Sequence, residues 1–375
     1  MKIVIAPDSF KGSMTALAAA NAMAAGVLRC CPDAEIVTIP LADGGEGTAQ
    51  TLCDATGGHM CAVTVLDPLC RPIMARYALL GDRETAAIEM AEASGLTLLT
   101  LEERNPLVAT SFGTGQLIRA ALDAGCRRLV IAIGGSATND GGTGMMTALG
   151  AVFRDKTGKE LPPGGAALAD LAHIDLSGLD VRLKDTEIIA ACDVDNPLCG
   201  VRGASAVFGP QKGATPYMVT QLNTVLMHYG VVMAGTVGRD IASMPGAGAA
   251  GGMGAALAGF LQARMESGAA IVQRETRFVE QIANADLLIT GEGQMDAQSL
   301  GGKTAYAAAC EAKRLGVPAI ALCGGLLDVT PAFYDVFRSV FSIVNRPMTL
   351  AEAGAAAEAL TADAAYRIVR LLFLD

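Results

Sequence analysis

Two aspartates stand two positions apart in "CDVDN", Asp193 and Asp195, directly after the apolar run "EIIAA". On an extended strand end, side chains at i and i+2 face the same side. Two carboxylates so placed suit a divalent cation or a general base, the two needs of phosphoryl transfer. Glu292 with Asp296, and Asp43 with Glu46, make further acidic pairs in Gly-rich stretches. Lys11, Lys212 and Lys303 stand in similar loops, where an ammonium would neutralise anionic oxygens. The stretch "IAIGGSATNDGGTG", Ile131 to Gly144, holds five glycines with Ser136, Thr138, Asn139 and Asp140 among them. Glycine lets backbone N–H groups approach a ligand, and Ser136 and Thr138 add hydroxyl donors. The helix expected next offers its positive end to an anion, so this loop is predicted to hold phosphate or carboxylate.

Six polar, Gly-rich loops follow apolar runs: "APDSFKGS", "LADGGEGT", "GGSATNDGG", "CDVDNPLCG", "FGPQKGA" and "TGEGQMDAQSLGGKT". Ligands of open α/β sheets gather beyond the carboxyl ends of the strands, so the six are expected to share one cleft. Standard nucleotide motifs do not account for them. "GGKT" at Gly301–Thr304 ends like a P-loop, but Ala297 stands where its first glycine belongs, and no G-x-G-x-x-G opens a helix after the first strand. His59, His173 and His228 lie outside the loops, and there is no G-x-S-x-G, which excludes triad hydrolysis.

The elements that must carry these loops alternate. "KIVIAP" reads as a buried parallel strand, and Met14 to Cys30 as a helix with Ser13 as its cap. "EIVTIPLADGGEG" repeats strand, loop and helix, ending near Ala55 before Gly57 and Gly58. Between His59 and Met90 three short strands form a meander. Helix–strand alternation then resumes: a helix ending at Gly125, the strands "RLVIAIGG" and "EIIAAC", a long helix from Thr215 and a helical stretch Val272–Ala285. From Asp286 the opening pattern returns, with strands in "DLLITGEG", "PAIALCGG" and "VFRSVFSIV" and helices at Lys303–Leu315 and Leu350–Phe373. The expected architecture is two α/β domains. A Rossmann-like discontinuous domain is made of 1–62 and 286–375, an α/β domain of 63–285 is inserted into it, and the active cleft lies between them.

Composition agrees with a large two-domain chain. Of 375 residues, 51% are hydrophobic but only 4% aromatic, with no Trp, so Ala, Leu, Val, Ile and Met must build the core. A net charge of −10 repels nucleic acid and anionic membrane. Ile241–Leu261 is uncharged but interrupted by Pro245 and several glycines, and reads as a Gly-rich loop entering a buried helix. Ten scattered cysteines show no zinc spacing and read as reduced thiols, and "MKIVIAPDSF" is no signal peptide. A cytoplasmic protein is expected, with its oligomeric state open.

Together, "APDSFKGS", "PLADGGEGT", "GGSATNDGG", "CDVDNPLCG", "GPQKGA" and "ITGEGQMDAQSLGGKT" resemble the signature stretches of the bacterial glycerate kinase family, from Met1 to beyond Gly325. The resemblance implies ATP- and Mg²⁺-dependent phosphorylation of D-glycerate to 2-phosphoglycerate, as in glyoxylate- and glucarate-type catabolism. Loop chemistry alone does not divide nucleotide from substrate. The working assignment has Asp193, Lys11 and Asp195 catalytic, with Asp193 and Asp296 as metal ligands. Substrate is assigned to Asp8, Ser9, Lys11, Asp43, Gly44, Gly45, Ser136, Thr138 and Asn139. ATP is assigned to Gly134, Gly135, Lys212, Glu292, Gln294 and Lys303. The readings it competes with are a kinase giving 3-phosphoglycerate or acting on another small hydroxy acid, a small-anion-binding regulator without turnover, and an oxidoreductase, which the missing dinucleotide fingerprint disfavours.

Overall fold

Five apolar runs lie side by side in a wholly parallel sheet, in the order Ser339–Ser342, Ala319–Cys323, Leu287–Gly291, Lys2–Pro7, Glu35–Thr38. Ile3 stands opposite both Leu287 and Ile36. The middle strands are buried along nearly their whole length, as a sheet covered by helices on both faces requires. A computed structural model describes residues 1–297, 299–301 and 304–373.

The helix Ala16–Cys30 covers this sheet. Thr15 caps it, accepting the Ala18 N–H at 3.1 Å, whereas the expected cap Ser13 donates its hydroxyl to the Phe10 carbonyl inside the preceding loop. The helix carries Gly26 because a Cβ there would collide with the Ala362 carbonyl of the closing helix Ala357–Phe373. The single closing helix expected from Leu350 is two, Leu350–Ala355 and Ala357–Phe373. Likewise Val272–Ala285 divides into Gly268–Glu275 and Phe278–Ile282, with Arg277 left-handed between them at φ 51°.

A second sheet has six strands in the order Arg264–Glu266, Glu187–Ala191, Arg128–Ala132, Thr85–Glu89, Pro72–Leu79, His59–Leu66. The first four run parallel, and the last three form the antiparallel meander expected from the sequence. The uncharged Gly-rich run becomes the buried helix Ala249–Phe260, with left-handed backbone at Ala250, Gly251 and Gly252. Thr215 caps the long helix Pro216–Val237. Among the described residues no helix is long and apolar enough to cross a membrane.

The chain divides into two compact units. One, the chain-end unit, comprises Met1–Asp43, Gln50–Thr56 and the chain from Ala269 onward; the inserted unit comprises Gly44–Ala49 and Gly57–Gly268. The expected joins at 62/63 and 285/286 both shift. Residues 57–62 belong to the inserted unit because His59 already pairs with Leu79 in its sheet. Ala269–Ala285 belongs to the chain-end unit, where the Lys2 side chain donates to the Gln281 and Ala283 carbonyls at 2.7 and 3.2 Å.

Candidate active site

In the chain-end unit, connections leave the two central strands in opposite directions. Lys2–Pro7 leads toward Glu35–Thr38, while Leu287–Gly291 leads toward Ala319–Cys323. Such a switch point opens a crevice at the strand carboxyl ends. The loops after both strands, with the ends of the neighbouring ones, line a cavity of about 780 Å³ that includes Asp8, Ser9, Lys11, Asp43, Glu292, Gln294 and Asp296. Asp8 is anchored at the first strand's end by its N–H to the Gly291 carbonyl at 2.8 Å, and its carboxylate accepts the Ser9 N–H at 2.6 Å. Burial and the negative charge of Asp43 push the Asp8 carboxyl up to about 6, against the lowering effect of that hydrogen bond. The exposed Lys11 ammonium is 3.9 Å from the Asp43 carboxylate. Gln294 donates to Asp296 at 3.2 Å.

In the inserted unit, Asp193 follows its strand as expected, is exposed, and accepts the Gly268 N–H at 3.2 Å. It lies near Gly44: a Cβ built there would come within 3.6 Å of an Asp193 carboxylate oxygen. A Cβ on Gly134 would come within 3.3 Å of Gly45, so these glycines admit a close backbone approach. Asp195 makes an ion pair of its own. Its side chain is 74% exposed and pairs with Arg202 at 2.7 Å, which holds its carboxyl below the usual range. The strand itself ends at Ala191, before either aspartate.

The loop from Ile131 to Gly144 is used differently from the expectation. Its helix, Thr143–Ala148, already has an anion at its start: Asp140, wholly buried, accepts the N–H groups of Gly142 and Gly144 at 3.1 and 3.3 Å. Ser111 gives Asp140 its N–H and hydroxyl, both at 2.8 Å, and accepts the Met145 N–H. The chain's own carboxylate therefore takes the place foreseen for a ligand. Ser136, Thr138 and Asn139 are buried as well, and only Gly134 and Gly135 of the assigned residues here are exposed. Lys212 is enclosed, donating to the Ser136 hydroxyl at 2.8 Å and the Thr138 carbonyl at 2.6 Å. Burial pushes its amine down to about 7, with Asp140 acting in the opposite direction. Lys212 thus holds the loop from within.

The structure groups Asp8, Ser9, Lys11, Asp43, Glu292, Gln294 and Asp296 around one cavity, and Gly44, Gly45, Gly134 and Asp193 at the strand ends of the inserted unit. Lys303 lies outside the described residues. Three residues that shape the site were given no role from the sequence: Asp140, Ser111 and Glu89. Glu89, buried at a strand end, accepts the Gly47 and Ala49 N–H groups at 3.0 and 2.8 Å and so fixes the Gly44–Ala49 loop. An acid closing the apolar run "TAAIE" was the available signal.

Among the described residues no group of three or more potential ligands forms a ready metal cage. The carboxylates of Asp8, Asp43, Glu292 and Asp296 on this cavity are hard oxygen donors, of which Mg²⁺ commonly takes one or two and completes its shell with phosphate oxygens.

Open α/β sheets bind ligands in the crevice beyond their strand carboxyl ends, where the acid- and Gly-rich loops of this chain stand. A model of the glycerate kinase family matches residues 3–373. A glycerate kinase of Bacillus subtilis (strain 168) is 49% identical over 94% of this chain and 93% of its own length. The glycerate 2-kinase of Escherichia coli (strain K12) is 48% identical over 94% of this chain and 93% of its own. A crystal structure described as a glycerate kinase 2 from Salmonella typhimurium LT2 matches with a TM-score of 0.92 at 47% identity, covering 99% of this chain and 98% of that one. The chain belongs to the glycerate kinase family, and the α/β fold and kinase class expected from its loops are those of its relatives.

Proposed function

We propose that this chain transfers the γ-phosphoryl group of ATP to the 2-hydroxyl of D-glycerate, giving 2-phosphoglycerate and ADP. The observation that carries this reading is its similarity, along almost the whole chain, to a relative named glycerate 2-kinase. Phosphoryl transfer asks a protein for positioning and charge stabilisation more than for covalent chemistry. Lys11, cationic and exposed at the cavity rim, neutralises charge on an anionic ligand. Asp296, with Asp8 nearby on the same cavity, would hold Mg²⁺, which supplies charge neutralisation at the phosphate oxygens. A carboxylate accepts the proton of the glycerate hydroxyl as its oxygen attacks phosphorus and the bond to the ADP oxygen breaks. Asp193, fixed after a sheet strand, is assigned that role.

The test couples the reaction to enolase, which consumes 2-phosphoglycerate directly. ADP formation together with enolase turnover is expected from D-glycerate. ADP formation with a matching loss of free glycerate but no enolase turnover would mean transfer to the 3-hydroxyl. Glycerate binding without ADP formation would leave a non-catalytic anion-binding protein.

A further inference from the structure

We infer that the cavity of the chain-end unit is a nucleoside triphosphate subsite, with a purine against Ile343, Met348, Leu350 and Ala353 and the phosphates toward Lys11 and Asp296. This subsite rests on the kinase reading above and decides which ligand that cavity takes.

Three observations carry it. The cavity, about 780 Å³, lies in the range of pockets that bury a drug-sized ligand and is far larger than a three-carbon acid requires. Its lining is also of two kinds. Asp8, Lys11, Asp43, Glu292 and Asp296 are charged, while the stretch after the strand Ser339–Ser342 contributes the apolar Ile343, Val344, Met348, Leu350 and Ala353 as a second, mostly apolar wall. Glycerate has no apolar surface for that second wall, whereas a purine is a flat, weakly hydrated ring that gains by leaving water there. Leu350 supports this: 89% exposed at the start of a short helix, it is a large apolar side chain at the cavity rim that no neighbour covers well. Finally, the alternative phosphate loop at 134–144 has its helix start filled by Asp140, and Lys212 is enclosed beneath it. The cavity of the chain-end unit keeps its cation, Lys11, at the surface.

Adenosine, which has no phosphate, tests the apolar wall alone, and a non-hydrolysable ATP analogue with Mg²⁺ tests the whole subsite. Both are titrated calorimetrically into wild type, Ala353→Trp and Leu350→Ser. Filling the apolar half with Ala353→Trp should weaken both ligands about tenfold or more, while KM for glycerate stays within about twofold. Leu350→Ser, at a position too exposed to affect folding, should weaken adenosine by a few-fold, roughly the worth of a lost apolar contact. Should Ala353→Trp fail to fold by circular dichroism, Leu350→Ser carries the test. Unchanged adenosine binding in the folded variants, or a raised KM for glycerate with ATP unaffected, would overturn the subsite. Wild type that binds adenosine and the analogue but never phosphorylates glycerate would instead remove the kinase reading and leave the nucleoside subsite standing.

Discussion

Lys212 reaches through the interior of the inserted unit to place its terminal nitrogen 2.8 Å from the Ser136 hydroxyl, and only 1% of the residue is exposed. A buried amine in this position acts as a tether on the loop that follows the strand Arg128–Ala132. Lys212→Met keeps the apolar stem and removes the tether. Activity should fall about a hundredfold, as for a misplacement of roughly 1 Å at a reacting centre, with the secondary structure unchanged. Full activity in this variant would show that the loop holds its shape without Lys212.

The same residue sets a pH dependence of stability. Burial holds its folded-state value down to about 7 from 10.5. Between these limits the unfolded chain binds more protons than the folded one, so this group's contribution to stability rises with pH across that window. From pH 7 to 9, wild type should gain roughly 2 kcal/mol relative to Lys212→Met. Urea unfolding at both pH values checks it, and parallel behaviour of the two proteins would contradict it.

Asp8 runs the other way. Its carboxyl is pushed up to about 6 from 3.8, so between these values the folded chain binds more protons than the unfolded one. Stability from this group therefore falls as pH rises through that window, and an ionised Asp8 costs stability at neutral pH. Asp8→Asn should raise the melting temperature at pH 7.5, by on the order of 1 kcal/mol in stability, and give no gain at pH 3.5. Turnover should fall at the same time, because stabilising a site by removing its charge removes its function. A variant that is destabilised at pH 7.5 would refute the assignment.

Asp193→Asn retains an oxygen for the Gly268 N–H and loses the charge. If Asp193 takes the glycerate proton, kcat should fall about 10²–10⁴-fold with little change in melting temperature and near-normal affinity for the Mg²⁺·ATP analogue. Retained turnover would pass the role of base to Asp8, and kcat/KM would then decline below about pH 6.

Glu89→Ala deprives the Gly47 and Ala49 N–H groups of their acceptor. The expected loss is about 1–3 kcal/mol, with faster hydrogen exchange at these two amides. Glu89→Gln keeps one acceptor oxygen and should recover part of the protection. Exchange unchanged in Glu89→Ala would mean that the loop is held by other contacts.

Much of the fold was legible in order of sequence. Apolar runs such as "KIVIAP" and "DLLITG" become buried parallel strands because a strand covered on both faces must be apolar throughout. The acidic and Gly-rich segments fall at strand ends because only there can the chain be both polar and irregular. The family, too, was legible in the loops. The face each loop residue presents was not. Asp140 and Asp193 are both acids in polar loops, yet one is buried against Ser111, Gly142 and Gly144 and the other is exposed. Lys11 and Lys212 are both lysines in Gly-containing loops, yet one lines a cavity and the other is enclosed. Sequence fixes the chemistry a side chain carries. Burial, and the partners that make burial of a charge tolerable, come from segments far along the chain and exist only once the sheets have assembled.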